Sequence, residues 1–580
     1  VVLSDEEEVM YTTSTAFLEA LTEAGVTFAF ANFGSDYPPI LEAYAEAETS
    51  GRIFPTVITC PHEMVALSAA HGYAQVTGKP QAVFVHVDVG TQNLGGAVHN
   101  VAKSRVPVLI FAGASPFTQQ GELRGTRNEH IQWYQDVFHQ RDIVRDYVRY
   151  DAELRTGKNV KQIVFRALQI ATSEPKGPVY LVGPREVLEE DTTPVTLDRA
   201  VWQPIGPSAL TADRVAEIAL ALRSAKRPLV ITSYLGRNPA AVAPLVALCD
   251  SLGIGVLESV PGYVNFPRSH PLHQGEQWNA QVSNPIVADA DVILVVDSDV
   301  PWIPAVNPPR PDAQIFHIDT DPLKEDMPLW YIGALRSLRA DAQTALEQIN
   351  AHLAISAAAD QALVTQRREH YTGCHARYFQ AVDARAEVGD DVITPDYLAS
   401  RIRLLIDDTT IVLNEGISSF GTIGDHLRIE RPGSMFTGNG GSLGWNGGAA
   451  IGMKLAAPEA TVIALTGDGS YLFSVPSSVH WVARRYATPF LQIIFNNGGW
   501  RSPKLSMLSV HPDGFGSKSK DLPVSFDHAP DYAAIATAAG GAFGRSVARV
   551  SELDAVLAEA LRVVREEQRC AVIDVHLPHF

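Results

Sequence analysis

The stretch TVIALTGDGSYLFSVPSSVHWVARRYATPFLQIIFNNGGW, residues 461–500, decides how the rest of the chain is read. An apolar run ends in Gly467-Asp468-Gly469-Ser470, a helix-like segment follows, and a second apolar run, LQIIF, ends in Asn496-Asn497. Two buried parallel strands joined by a right-handed helical crossover put both strand ends on the same edge of a sheet, where ligands of open α/β sheets bind. One carboxylate and one side-chain amide therefore meet there. Hard oxygen ligands at a glycine-lined turn suit a magnesium ion bridging to a diphosphate, because glycine lets the backbone approach and amides can face the anion. An ordinary βαβ unit with glycine-rich turns has the same letters, so the remainder of the chain must decide between the two. The crossover from Asp468 to Asn497 is long, and its helix is expected to carry a bulge near Pro476.

Composition narrows the field. A chain of 580 residues has room for two to four domains with substantial cores. Lys+Arg of 46 against Asp+Glu of 65 gives a net charge of -19 with no basic block, which argues against nucleic acid as a partner. Cys60, Cys249, Cys374 and Cys570 are scattered without CxxC spacing, so neither a zinc site nor a disulfide framework is expected and a reduced compartment fits. The opening VVLSDEEEVM is acidic where a targeting segment would be basic and then apolar, and no apolar run approaches about 18 residues. A soluble, cytoplasmic protein with no membrane partner is expected.

Residues from about 10 to 190 alternate helical patterns with short apolar strands. TSTAFLEALTEAG (13–25) is amphipathic with a glycine stop, and VTFAFAN (26–32), QAVFVHV (81–87), VPVLIFAG (106–113) and GPVYLVG (177–183) read as buried strands. The Pro- and Thr-rich stretch 191–209 reads as a linker. A second unit, 208–350, has RPLVITS (227–233), DVILVVDSD (291–299) and AQIFHID (313–319); residues 351–385 read as a polar helical bridge. The third unit, 386–580, has TTIVLNE (409–415), TVIALTG, LQIIFNN and CAVIDVH (570–576). Strands alternating with helices predict mostly parallel sheets covered on both faces, in three α/β units. Residues 69–86 can also be laid on 449–466 with Ala-Ala, Gly and the following strand in register, which suggests a shared topology for the first and third units.

GDG followed by NN resembles the cofactor motif of thiamine diphosphate-dependent enzymes, and other segments extend the resemblance over nearly the whole chain. TCPHEMVALSAAHGYAQVTGKP (59–80) is similar to the HE…A.GYA…TGKP element of the branch related to acetolactate synthase, benzoylformate decarboxylase and benzaldehyde lyase. HVDVGTQNLGGAVHNVAKSRVPVLIFAG (86–113), ANFGSDYP (31–38), HIQWYQ (130–135), LNEGISSFG (413–421) and GGSLGWNGGAAIG (440–452) continue it. The resemblance implies three doubly wound α/β domains, pyrimidine-binding (1–190), central (208–350) and diphosphate-binding (386–580). It implies that Glu63 bonds the aminopyrimidine and promotes its imino tautomer, although a carboxylate at a helix start is commonly just a dipole partner. His86, Gln132 and Ser35 fall at substrate-side catalytic positions, with Asn32 and Gly34 in the turn before Ser35, and each could equally be a structural polar residue or turn. Gly90, Thr91 and Asn93 would shape the loop beside the substrate. Asn414, Glu415 and Ser418 form the NE…S turn toward the diphosphate, and Ser442 and Leu443 lie in the segment whose bulky residue props the cofactor into a V. Asp468, Asn497 and the Gly499 carbonyl would hold magnesium, with Gly467, Gly469, Ser470 and Trp500 completing the cofactor turn.

The activity implied is thiamine diphosphate- and magnesium-dependent cleavage or formation of a C–C bond next to a carbonyl, on a small 2-oxo acid or related substrate. The assembly implied is a homodimer or homotetramer with active sites between subunits. VDSDVPWIPAV (296–306) stands where acetolactate synthases have an Arg-containing segment, which argues against FAD and against their second 2-oxo acid. GGWRSPKLSMLSVHPDGFGSKSKD (498–521) also departs from their pattern, and Arg501 and Lys504 are candidates for a different pocket or lid. A thiamine-dependent lyase of aldehydes, 2-hydroxyacyl thioesters or a cyclic diketone is the alternative. A non-catalytic homologue would be expected to lose Glu63 or a metal ligand, and all are present.

Overall fold

Runs of apolar residues too continuous for a one-sided strand become the interior of three six-stranded sheets whose named strands all pair in parallel. The computed structural model describes residues 11–278, 282–356, 358–388, 390–519 and 522–579. The acidic stretch 1–10 and two residues of the 498–521 segment lie outside the described residues. The first sheet contains β1 (Phe28–Ala31), β2 (Thr56–Thr59), β3 (Gln81–Val85), β4 (Val108–Ala114), β5 (Tyr150–Glu153) and β6 (Val179–Pro184), in the order β2-β1-β3-β4-β6-β5. The central sheet contains β7 (Pro228–Thr232), β8 (Gly255–Ser259), β9 (His273–Gln277), β10 (Val292–Val296), β11 (Gln314–Asp319) and β12 (Arg336–Arg339), ordered β12-β11-β10-β7-β8-β9. The third contains β13 (Thr410–Glu415), β14 (Met435–Phe436), β15 (Thr461–Gly467), β16 (Leu491–Asn496), β17 (Phe543–Val547) and β18 (Ala571–His576), ordered β14-β13-β15-β16-β18-β17.

Position for position, the first and third sheets have the same strand order, and the two segments that echo each other in sequence end in equivalent strands, β3 and β15. All three sheets are doubly wound: the first and third switch direction between β1 and β3 and between β13 and β15, and the central sheet between β7 and β10. Every apolar run named above lies on an inner strand. Sequence periodicity misses β8 and all six edge strands, β2, β5, β9, β12, β14 and β17. Edge strands are paired on one side only, so β2, β5 and β12 are short and half-exposed. β9, HQGEQ, is different: it is polar yet nearly all buried. Its charges are met from neighbouring elements, with Arg268 against Glu276 at 2.5 Å and His273 against Glu258 at 3.0 Å. The bridge of 351–385 contains the 25-residue helix Gln361–Arg385, as its pattern predicts. No described helix is long and apolar enough to cross a membrane, and all four cysteines are free.

By compactness the chain forms two units: residues up to 205 with 438–458 and 473–488, and 206–437 with 459–472 and 489–580. The first unit owes its register to small residues. The helix Glu63–Thr77 packs on the helix Trp445–Ala456 so closely that a Cβ on Gly452 would sit 1.8 Å from the Ala69 carbonyl oxygen. A Cβ on Gly72 would sit 2.3 Å from the carbonyl of Ala449. Both obstacles are backbone, which cannot swing aside as a side chain end can. Gly452→Ala should therefore lower the apparent melting temperature through an overpacking cost of about 1–3 kcal/mol. Gly206→Ala, whose added carbon meets nothing within 4 Å, should leave it unchanged in the same thermal scan.

Candidate active site

His62 caps the helix Glu63–Thr77, its ring accepting the Met64 N–H at 3.2 Å, and this fixes Glu63 at the first helical position. The Glu63 side chain is buried, and Asn93 Nδ2 donates to its Oε2 at 3.1 Å. On its other side Gly90 leaves room: a Cβ there would lie 3.2 Å from Glu63 Oε1. Asn93 and Gly90 both come from the helix Val87–Lys103, so one helix shapes two sides of the carboxylate. Thr91 turns the other way, with its hydroxyl on the Val87 carbonyl and the Tyr180 hydroxyl, and so belongs to the core.

The turn at Asn32–Ser35 lies against His86. The His86 ring covers Gly34, where a Cβ would be 2.1 Å from Nδ1, and the Ser35 carbonyl accepts from Arg185 at 3.0 Å. The His86 Nδ1–H donates to Asp36 Oδ1 at 2.6 Å, and Nε2 meets Gln135 Oε1 at 2.9 Å. Asp36 beside it, with help from Gln135 and the charge of Asp88, raises the pKa of His86 despite the opposing cost of burial. Gln132 is inward: its Oε1 accepts the N–H of Asn128 at 2.9 Å and of Glu129 at 3.3 Å. The amide of Gln132 thus holds a turn, and Gln135, three residues on, is the glutamine that reaches His86. Sequence spacing had no signal for Asp36 or Gln135, because their partner is distant in the chain.

Ser442 and Leu443 lie in a glycine turn, Gly440–Gly444, held by the Val87–Lys103 helix. Asn100 donates to the Ser442 carbonyl at 2.8 Å and accepts the Ser442 N–H at 3.1 Å, while His99 Nε2–H donates to the Gly440 carbonyl at 2.8 Å. Gly444, at φ 90°, has no room for a side chain, because a Cβ would be 2.6 Å from the Phe473 carbonyl carbon as well as from Met64 Cε. Leu443, immediately before it, is half-buried.

In the second unit β15 delivers Gly467 and Asp468 and β16 delivers Asn496 and Asn497, in parallel register with Gly467 opposite Phe495. The helix after Asp468 breaks after Phe473, resumes at Pro476, and has Val475 at φ 55° between its pieces, which is the expected irregularity. Asp468 is 2% exposed, with Oδ1 accepting from Gly469 N–H and Oδ2 from Gly498 N–H, both at 2.9 Å. Burial pushes its carboxyl up from 3.8 to about 6 against those amide dipoles. A shift of that size is roughly 3 kcal/mol against the charged form. A cation would reverse it. Asn497 donates Nδ2–H to Ser418 Oγ at 3.2 Å, and its buried Oδ1 has no hydrogen-bond partner. The Gly499 carbonyl accepts the Arg501 N–H at 3.1 Å, which leaves its second lone pair. A carboxylate, an orphaned amide oxygen and a carbonyl are hard oxygen donors, so these residues fit magnesium.

The turn around them is shaped by neighbours. Asn414 Oδ1 accepts the Gly416 N–H at 3.0 Å at the end of β13, where Glu415 is buried, and this leads into Ser418. A Cβ on Gly467 would meet nothing within 4 Å, whereas one on Gly469 would be 2.2 Å from Trp500 Cζ3. Ser470 is buried, and Trp500 pairs its N–H with the Val524 carbonyl at 2.7 Å. The following helix, Arg501–Val510, buries no residue, so Arg501 and Lys504 lie on a surface element.

The central switch point does not fit FAD. Lys324 is buried there and held by Asp319, by Asp299 at 2.9 Å and by the Tyr234 hydroxyl at 2.7 Å. A dinucleotide's diphosphate would meet two carboxylates around a lysine that they already neutralise.

Three matches cover most of the chain. Residues 11–143 match the N-terminal TPP binding domain of thiamine pyrophosphate enzymes, 215–349 their central domain, and 417–575 their C-terminal TPP binding domain. Among curated relatives, the probable 2-ketoarginine decarboxylase AruI of Pseudomonas aeruginosa is 26% identical over 85% of this chain and 82% of the relative. Benzoylformate decarboxylase of the same species is 26% identical over 84% and 86%, and the acetolactate synthase isozyme 3 large subunit of Escherichia coli 25% over 94% and 91%. Among solved structures, benzoylformate decarboxylase from Polynucleobacter necessarius superposes with a TM-score of 0.80 at 20% identity, covering 98% of this chain and 99% of that one. The chain therefore belongs to the thiamine pyrophosphate enzyme family, whose decarboxylases and acetolactate synthases it resembles along most of its length.

Proposed function

We propose that this protein is a magnesium-dependent decarboxylase of a small 2-oxo acid that can also ligate the resulting acyl unit to a carbonyl acceptor. The observation that carries the reading is Glu63: a buried carboxylate at a helix start, flanked by Asn93 and by a glycine that leaves it space. A carboxylate costs several kcal/mol to bury, and a role as helix-dipole partner alone returns at most about 2 kcal/mol. Thiamine diphosphate, when bound, supplies the electron sink that lets a bond beside a carbonyl break heterolytically.

The chain's own residues supply the rest. Glu63 would hold the aminopyrimidine and move a proton at its carboxylate, and Leu443 would support the cofactor from the glycine turn. Asp468, Asn497 and the Gly499 carbonyl hold magnesium, with Ser418, Asn414, Glu415, Gly467, Gly469, Ser470 and Trp500 around the diphosphate. His86 donates a proton to the carbon that has lost carbon dioxide, and Ser35 borders the reacting carbonyl. Two relatives named as decarboxylases of 2-ketoarginine and benzoylformate support a 2-oxo acid as substrate. The filled crevice of the central sheet disfavours the thioester alternative, which would need a nucleotide pocket. The family resemblance supports a homodimer or homotetramer.

Incubation with thiamine diphosphate, magnesium and a panel of 2-oxo acids, acyloins and aldehydes should release carbon dioxide from at least one 2-oxo acid. Glu63→Gln should lower kcat on that substrate about 10²–10⁴-fold, and full turnover by this variant would refute the assignment. Gly90→Val, which crowds Glu63 without touching a charge, should raise the thiamine diphosphate concentration for half-saturation about tenfold, equivalent to ~1.4 kcal/mol, with an unchanged circular dichroism spectrum.

A further inference from the structure

Beside His86 lies a group that the sequence did not single out. The carboxylate of Asp36 is 3% exposed and is seated on Gly113 at the end of β4, where a Cβ would come within 1.9 Å of Oδ2. Oδ2 also accepts the Val87 N–H at 3.2 Å, so the carboxylate is fixed by backbone before it meets the histidine. The His86 ring is confined between that carboxylate and Gly34, and its side chain is 19% exposed. Both ring nitrogens face oxygens, Asp36 Oδ1 and Gln135 Oε1, and oxygens of this kind only accept. An acceptor at each nitrogen favours the protonated ring, which donates from both.

We propose that Asp36 is the positioning residue that holds His86 as an oriented cation with its Nε2–H directed outward, and that Gln135 occupies this N–H until a substrate oxygen replaces it. The substrate half rests on the function proposed above. Gln135 is itself held at its carbonyl by the Ser115 hydroxyl at 2.7 Å, so its carboxamide can leave the ring without the backbone moving. The charged groups facing the ring are Asp36 and, from its own helix, Asp88. Behind Asp36 stand Tyr37 and Tyr180, both buried, with hydroxyl pKa values raised by burial, so neither adds a charge near neutral pH. Tyr37 donates to the Val85 and Phe111 carbonyls at 2.8 and 3.0 Å. In the proposed reaction the C–C bond to the carboxylate breaks with loss of carbon dioxide and the Nε2 proton forms a C–H bond at the carbon left behind. Neutral His86 then regains a proton from solvent as the aldehyde departs.

The test is C2–H hydrogen–deuterium exchange at His86, followed by mass spectrometry across pH on the whole protein, which reads one imidazole's titration without needing activity. Asp36→Asn keeps the shape and the acceptor for Val87 N–H but removes the charge. Its His86 midpoint should move to lower pH than in the wild type, and kcat should fall about 10- to 100-fold with KM within about twofold. Gln135→Leu should move the midpoint in the same direction by less. An unmoved midpoint in Asp36→Asn, or a larger movement in Gln135→Leu, would overturn the positioning role. If no thiamine-dependent turnover is found with any 2-oxo acid while the midpoint moves as expected, the proposed reaction fails and the Asp36–His86 pairing stands.

Discussion

Backbone-to-backbone contact between two helices governs the first unit. Glu63–Thr77 and Trp445–Ala456 touch through Gly72 and Gly452, where only backbone lies opposite, and through Gly448, which faces Ser68 Cβ and the Val65 carbonyl. The contact pairs Met64 with Gly444 at one end and Ala69 and Tyr73 with Gly452 farther along, so the starts of the two helices are held at the same end. Glu63 begins one helix and Leu443 immediately precedes the other. Glu63 and Leu443, to which the proposed function gives the proton-exchanging and propping roles, therefore inherit their placement from a close-packed seam rather than from flexible loops. The Val87–Lys103 helix ties the arrangement twice, through Asn93 on Glu63 and Asn100 on Ser442.

The two buried carboxylates, Asp468 and Asp36, are stabilised in different ways. Asp468 is surrounded by amide N–H groups that do not fully offset its burial, and the buried Asn497 Oδ1 has no hydrogen-bond partner. Asp36 is matched instead by a histidine whose pKa it raises against the opposing effect of burial.

Much of this was legible in the sequence, and the limits are physical. Inner strands such as TVIALTG and QAVFVHV are apolar on both faces and show as unbroken runs, so the parallel sheets followed directly. Edge strands such as Arg336–Arg339 alternate exposure and carry no such run, and His273–Gln277 hides a buried ion-pair cluster under a polar sequence. Motifs local in the chain, GDGS with NN and the Glu63 segment, could be read. Asp36 with His86 could not, because 50 residues separate them and only the fold of the first sheet brings them together. Gln132 shows the converse: its position in a motif suggested the substrate side, while its amide is engaged by the Asn128–Glu129 turn.

The central proposal is that thiamine diphosphate binds with magnesium held by the oxygen donors of Asp468, Asn497 and Gly499. Isothermal titration of thiamine diphosphate into the metal-stripped protein, with and without magnesium, addresses it most directly. Saturable binding that appears with magnesium and is abolished by a chelator is the predicted result. Absence of binding under both conditions, or binding of equal strength with the chelator present, would contradict the account.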